Sequence, residues 1–274
     1  MEIPFYKMQG AANDFIVINN MKLGLSGGQL VSLTKQVCRQ RFSVGSDALM
    51  ALDFPQNDGD FRMRFYNADG TEAEMCGNGV RCIARYAYET GVAGEQMTIE
   101  TKAGNVYCWR LSQRQYKVQI NEPSIEKFDL SFPNTDFLLD YVELGNPGVP
   151  HLVVNYPNLK ETSLEEIKPL AKKMRYWGAL DRGANVNFYA IDTEGGVILR
   201  TFERGVEDFT LACGTGAVST AYVLKKKQFI QKDSVELHVL GGLLEVEEKN
   251  EHFYLIGDTN IVTKGYVWDE DLIV

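Results

Sequence analysis

The chain has 274 residues, of which 45% are hydrophobic and 24% charged, and its formal net charge is −9. It is long enough for one large domain or two of about 130 residues, and an acidic chain without a basic run lacks the electrostatic footprint of a nucleic-acid binder. No apolar stretch approaches the roughly 18 residues of a membrane span, and Met1-Glu2-Ile3-Pro4-Phe5-Tyr6-Lys7 lacks the basic and apolar regions of a signal peptide, so a cytoplasmic setting without a membrane partner is expected.

Phe5 to Asn19 alternates and is β-rich, and Leu30 to Arg41 has helical spacing. Phe61 to Asn67 (Phe-Arg-Met-Arg-Phe-Tyr-Asn) alternates with period two and ends at the turn signal Ala68-Asp69-Gly70. Cys76-Gly77-Asn78-Gly79 then leads into a helical run, Val80 to Glu89. Met97 to Glu100 and Val106 to Leu111 predict a hairpin about Ala103-Gly104-Asn105. Pro123 and Pro133, among polar residues, suggest a join between 122 and 140. The succession then repeats. His151 to Tyr156 is β-rich, Leu164 to Met174 helical, and Val197 to Glu203 alternates. Cys213-Gly214-Thr215-Gly216 precedes the helical run Ala217 to Lys226, and Val235 to Val239 with Leu243 to Glu247 predict a second hairpin at Gly241-Gly242.

An offset of 137 residues, the separation of Cys76 and Cys213, lays one half on the other. Arg64-Phe65-Tyr66 falls on Thr201-Phe202-Glu203, Gly104 on Gly241, and Phe15-Ile16-Val17 on Leu152-Val153-Val154. The expected fold is α+β. It has two pseudo-symmetric domains of like topology, 1–125 and 126–274, each a central helix wrapped by mostly antiparallel strands. A C-terminal strand within 262–274 is expected to contribute to the first domain, and the active site to lie in the cleft between the two.

Five cysteines at wide spacings, with no Cys-x-x-Cys, argue against a disulfide framework in this setting, and the three histidines are scattered, so no metal site is expected. Cys38, Cys82 and Cys108 read as small buried hydrophobes. Cys76 and Cys213 differ, because each precedes the first turn of its half's main helix. There the unpaired N–H groups and the positive end of the helix dipole favour a thiolate. Glycines beside each thiol admit a ligand close to the backbone, and the N–H groups can hold a carboxylate. Two opposed thiols suit proton removal from one face of an amino-acid Cα and return to the other. The expected partner is a small amino acid, with no nucleic acid involved.

The motifs Phe65-Tyr66-Asn67-Ala68-Asp69-Gly70, Cys76-Gly77-Asn78-Gly79-Val80-Arg81-Cys82, Ala184-Asn185-Val186 and Glu203-Arg204-Gly205 with Ala212-Cys213-Gly214-Thr215-Gly216 resemble those of the diaminopimelate epimerases. So do Lys7-Met8-Gln9-Gly10 and Asn13-Asp14-Phe15. The resemblance runs from residue 3 to beyond Gly242. It implies an isomerase independent of pyridoxal phosphate and of metal, hence no cofactor, that interconverts LL- and meso-diaminopimelate in lysine and peptidoglycan precursor synthesis. It is compatible with a homodimer. Cys76 and Cys213 match the catalytic pair, and Gly77-Asn78 and Gly214-Thr215 the holders of the reacting carboxylate. Asn13, Asn67, Asn185 and Arg204 match groups at the distal end, and His151 and Glu203 polar residues beside the reacting centre.

Each of these has a plainer structural reading: Asn67 as a turn residue, Arg204 as a surface charge, His151 as a strand-edge residue, Asn185 as a strand cap. The chain departs from the family pattern at Val149, where an amide is common, at Ala48, at Ala12 and at Phe209, where an acidic residue is common. Val149, Ala48 and Phe209 each remove polarity. The alternatives are therefore a related racemase with a different side-chain pocket, for histidine or lanthionine, and a non-catalytic amino-acid-binding protein.

Overall fold

The alternation of Phe61–Asn67 forms a strand that buries Phe61, Met63 and Phe65 and leaves Arg62 and Arg64 partly solvated, as period two requires when one face meets a core. A computed structural model describes residues 2–192 and 195–268, and the chain divides into two units, 1–118 with 257–274, and 119–256. The first unit runs β1 (Ile3–Gly10), β2 (Asn13–Asn19), α1 (Asn20–Leu23), α2 (Gly27–Val37), β3 (Ala48–Asp53), β4 (Phe61–Asn67), β5 (Glu72–Ala73), α3 (Gly77–Glu89), β6 (Gln96–Thr101), β7 (Gly104–Arg110) and β8 (Gln115–Ile120). β1 pairs β2 antiparallel, β2 pairs β3 parallel, β3 pairs β4 antiparallel, β4 pairs β6 parallel, and β6 and β7 continue antiparallel.

The two longer helices of this unit differ in kind. α2 begins at Ser26 with a capping box to Gln29 and buries one stripe, Leu30, Leu33, Thr34 and Val37. α3 is buried without interruption from Asn78 to Ala87. A helix covered on every face is one that strands enclose. Ile16, Ile18, Leu30, Leu33, Leu49 and Tyr66 form the core outside it, each fully buried side chain contributing about 1.5–3 kcal/mol.

The second unit runs β9 (Pro123–Ser131), β10 (Leu138–Leu144), β11 (Val149–Asn155), α4 (Leu164–Arg175), β12 (Asn185–Ile191), β13 (Val197–Glu203), β14 (Asp208–Thr210), α5 (Gly214–Lys226), β15 (Ser234–Val239), β16 (Gly242–Lys249) and β17 (His252–Asp258), before the last strand, β18 (Asn260–Val267). Its pairings from β10 to β16 repeat those from β1 to β7 in kind and order. α5, again buried without interruption from Gly216 to Leu224, is α3 shifted by 137 residues. α4 is the outer amphipathic helix, with a capping box at Ser163 and buried Ile167, Ala171 and Met174. Among the described residues no helix is long and apolar enough to cross a membrane.

The segment read as a linker at 122–140 contains a strand. β9 pairs with β10 in the second unit, while its counterpart β18 pairs with β1 in the first. Each half's closing strand thus leaves its own half, and the units break at 118 and 256 where the sequence suggests 125. Residues 269–274 of the expected C-terminal contribution lie outside the described residues. β9 escapes a hydrophobicity reading because most of its side chains are exposed, and Pro123 occupies its first position, where a missing N–H is tolerated.

Phe209, which replaces a commonly acidic residue, is half-buried at the second core. Its ring meets Phe202 at 5.5 Å and Phe188 at 6.2 Å between centroids. Its role there is packing. Phe209→Glu is expected to destabilise the fold by about 2 kcal/mol or more through an unpaired carboxylate against aromatics, measured as a fall in the urea midpoint at unchanged slope.

Candidate active site

Cys76 is the N-cap of α3 and Cys213 that of α5. Both have extended backbone, φ −137° and ψ 120° against φ −123° and ψ 111°, and neither thiol makes a side-chain cap bond to its helix. Their carbonyls accept the first helical N–H groups, from Val80 at 2.8 Å and Ala217 at 3.0 Å. The N–H groups of residues 77–79 and 214–216 therefore precede the intrahelical ladder and point out of the helix start. Cys76 is half-buried, with its Sγ 3.5 Å from Asn13 Oδ1, and the Asn13 amide donates to Asp47 Oδ2 at 2.7 Å. Cys213 is 8% exposed, with Sγ 3.6 Å from Thr215 Oγ1. No disulfide joins any of the five cysteines.

The second glycine of each motif has a structural cause. A Cβ at Gly79 would lie 2.9 Å from Met50 Sδ and 3.2 Å from the Phe65 ring. One at Gly216 would lie 2.3 Å from Asn187 Oδ1 and 3.1 Å from Thr201 Oγ1. Gly79 and Gly216 let each helix start press on the strands beneath it.

The contacts at Gly216 belong to a buried polar cluster in the second unit. His151 is fully buried. Asn187 Nδ2 donates to the Leu152 carbonyl at 2.9 Å, and Asn187 Oδ1 accepts from Thr201 Oγ1 at 2.9 Å. A carbonyl can only accept, so the amide orientation is fixed. Asn187 Nδ2 then also donates to His151 Nδ1, at 3.1 Å, which leaves the ring proton on Nε2. His151 Nε2 faces Asn185 Nδ2 at 3.5 Å, while Asn185 Oδ1 accepts the Arg204 backbone N–H at 2.7 Å. Burial, with the positive charge of Arg204 adding, holds the His151 imidazole down to about 3, so the ring is neutral at neutral pH. Glu203 is half-buried and accepts from Thr210 Oγ1 at 3.0 Å. Burial pushes its carboxyl above the usual range, against the pull of that bond. Arg204 is half-buried, with Nη1 3.5 Å from the Arg182 carbonyl.

The other predicted residues lie as follows. Asn67 is exposed, with its amide braced on Thr71 Oγ1 at 3.0 Å, and stands opposite Ala48 across β3 and β4. Ala48 is buried. Val149 is half-buried, opposite Leu144. Asn78 is buried, and its side chain accepts from Arg81 at 2.9 Å, so what it can offer a ligand is backbone N–H. Among the described residues no group of three or more His, Cys, Asp and Glu side chains is placed to hold a metal.

The family model of diaminopimelate epimerase matches residues 5–125 and 144–262. This chain belongs to the diaminopimelate epimerase family. It is 35% identical to the diaminopimelate epimerase of Archaeoglobus fulgidus over 97% of this chain and 96% of that one. It is 34% identical to that of Aquifex aeolicus over 98% and 99%. Two solved structures share its fold. A phenazine biosynthesis protein of the PhzF family from Bacillus anthracis has a TM-score of 0.72 at 16% identity, covering 98% of this chain and 99% of the other. A hydroxyproline epimerase from Agrobacterium vitis has a TM-score of 0.69 at 13% identity, covering 99% and 94%.

Within this family member, sequence reasoning misses Asn187 and passes over Arg81, which it quotes only as part of a motif. The signal for Asn187 was its spacing. Asn185 and Asn187 share one face of a strand that is otherwise apolar, and two amides on a buried face require partners. The His151 cluster has a measurable consequence. An unfolded histidine titrates near 6.5 and the folded one near 3. Between these values the unfolded chain binds a proton that the folded chain does not, so stability falls as pH drops from about 6.5. His151→Gln removes the titration. The fall in Tm between neutral and mildly acid buffer is expected to be smaller in this variant than in the wild type.

Proposed function

We propose that this protein is an isomerase that inverts one α-carbon of LL-diaminopimelate to give the meso form, with Cys76 and Cys213 as base and acid. The observation that carries the reading is a cysteine at the N-cap of the buried central helix in each of two like units, in a chain of this family. In this reading each unit supplies one thiol. A thiolate takes the Cα proton and becomes a thiol, and the other thiol gives its proton to the opposite face and becomes a thiolate. Electrons of the broken C–H bond pass into the carboxylate as an enolate. The N–H groups ahead of Val80 and Ala217, those of Gly77, Asn78, Gly214 and Thr215 among them, suit that growing charge. No oxidant or second substrate is required.

The remaining assignments follow from chemistry. Neutral His151 offers a hydrogen bond without a competing positive charge. Glu203, with its carboxyl raised, can hold or pass a proton beside it. Arg204 can grip a distal carboxylate in two-point fashion, with Asn13, Asn67 and Asn185 as polar partners and Ala48 and Val149 as neighbours that set the room available. The reading puts the enzyme in the cytoplasm, where thiols stay reduced.

Purified protein incubated with the LL isomer in D2O is expected to yield the meso isomer carrying deuterium at Cα. Cys76→Ser and Cys213→Ser are each expected to lower turnover by about a hundredfold or more while the far-ultraviolet spectrum is unchanged. Absence of exchange with every amino acid in a panel would overturn the reading.

We also infer a homodimer. Phe42, Tyr266 and Trp268 are 79%, 63% and 76% exposed and lie together about one recess of the first unit, and aromatics so grouped favour burial against a second copy. Sedimentation equilibrium is expected to give twice the chain mass, and Tyr266→Lys to shift it toward the monomer.

A further inference from the structure

Arg81 lies on α3, five residues after Cys76, and is fully buried. Its guanidinium turns back over the first helical turn. Nη2 donates to Asn78 Oδ1 at 2.9 Å and Nη1 to the Gly77 carbonyl at 3.4 Å, while among the described residues Nε has no acceptor. The positive charge thus rests on the two residues that follow Cys76. Guanidinium does not give up its proton in proteins, so the charge is present and its burial needs compensation.

The groups around it do not supply that compensation. Cys82 and Cys108 face the guanidinium, but burial pushes both thiols up to about 12, so they keep their protons. Asp258 is exposed and lies 3.8 Å from Arg114. Arg85, further along the helix, donates to the Thr259 carbonyl at 2.8 Å and lies 3.5 Å from Glu89. Of the strands packed on α3, β1 and β2 carry the Lys7–Asp14 ion pair at 2.5 Å, β3 carries Asp53, which accepts from Asn20 at 3.0 Å, and β7 carries Cys108. Among the described residues no carboxylate is in ion-pair range of Arg81.

The second unit differs at the matching place. The 137-residue offset puts Val218 where the first unit has Arg81, and Val218 is fully buried. The strands packed on α5 bring Asp140, held by Lys227 at 2.7 Å, Glu143, held by Arg182 at 2.6 Å, the neutral His151, and Glu245, Glu247 and Glu248 of β16. None of them places an unpaired cation under the first turn of α5.

We propose that Arg81 is a positioning residue that holds Cys76 as the resting thiolate, with Cys213 the resting thiol. This rests on the reading that the two cysteines act as a pair. The resting enzyme begins a turnover with Cys76 taking the Cα proton and Cys213 giving its own. The negative charge then sits on Cys213, and a proton must pass from Cys76 to Cys213 by way of solvent before the next cycle in the same direction.

The test is alkylation of the full chain by iodoacetamide, followed for each cysteine by peptide mass spectrometry across the pH range in which the fold persists. Midpoints are compared, not plateau rates, because Cys213 is the more buried. The Cys76 midpoint is expected to lie below that of Cys213 by about one pH unit or more, a tenfold difference in thiolate ratio. In Arg81→Met the Cys76 midpoint is expected to rise by about as much while that of Cys213 stays, and Arg81→Lys is expected to retain most of the effect. Equal or reversed midpoints in the wild type overturn the proposal even if Arg81→Met does not fold. So does an unmoved Cys76 midpoint in a folded Arg81→Met. The readout needs no turnover, so absent epimerisation with asymmetric midpoints would sink the reaction reading and leave this one standing.

Discussion

Everything at the candidate site depends on how closely a helix start approaches the strands beneath it. At Gly216 the distance a Cβ would have to Asn187 Oδ1 is 2.3 Å, and at Gly79 the distance to Met50 Sδ is 2.9 Å. A side chain at either place would force the strand side chain or the first turn of the helix to shift. Close approach also explains why α3 and α5 are buried on all faces whereas α2 and α4 bury a stripe. The enclosed helices need no polar face, so their starts can lie tight against the strands, with burial complete from Asn78 and Gly216 onward, where backbone N–H groups are less screened by water than on an open surface.

The two units share this frame and have diverged in the polar groups set into it. At the 137-residue offset Met50 matches Asn187, Asp14 matches His151, and Arg81 matches Val218. In the first unit the glycine packs on a thioether and a phenyl ring, and the buried charge lies within the helix itself. In the second the glycine packs on an amide and a hydroxyl, and the helix is apolar where the first has its guanidinium. The first turn after Cys76 therefore carries a buried cation, whereas the first turn after Cys213 packs on an amide that fixes the tautomer of a neutral imidazole. In the proposed two-thiol reaction, running in both directions needs like geometry at the two thiols. Its resting state needs unlike electrostatics, because one thiol must hold a proton while the other lacks it.

Much of this frame was legible in the sequence, and for identifiable reasons. Phe61–Asn67 and Val197–Glu203 alternate because one face of each meets a core, and the cysteine motifs precede helices because glycine-rich segments with unpaired N–H groups are helix starts. β9 was not legible, since an exposed strand has no alternation to display. The roles of Gly79, Gly216 and Asn187 were not legible either. They are set by which strand lies beneath the helix, and spacing within one segment does not report a neighbour from another. Phe209 shows the complementary limit: sequence reports that an apolar residue replaces a commonly acidic one, and the structure supplies its neighbours, an aromatic cluster with Phe188 and Phe202.

The same offset bears on the departure at Ala48. Its counterpart is Asn185, and the residue opposite Ala48 across the ladder, Asn67, has Glu203 as its counterpart, because β13 repeats β4 at an offset of 136. In the second unit the register of β12 and β13 runs from Asn185 toward Glu203, and Asn185 Oδ1 accepts the backbone N–H of the next residue, Arg204, at 2.7 Å, which fixes the backbone where the long side chain leaves the end of β13. In the first unit the pair is a methyl group and an exposed amide already engaged by Thr71. A long cationic side chain loses much entropy when it is oriented, so a dedicated acceptor beside it is consistent with a role that needs direction. A short amide in a turn needs none, and alanine opposite it leaves no polar group unsatisfied. The loss of polarity at Ala48 thus falls where no neighbouring polar group needs a partner, while the backbone at Arg204 keeps its supporting amide.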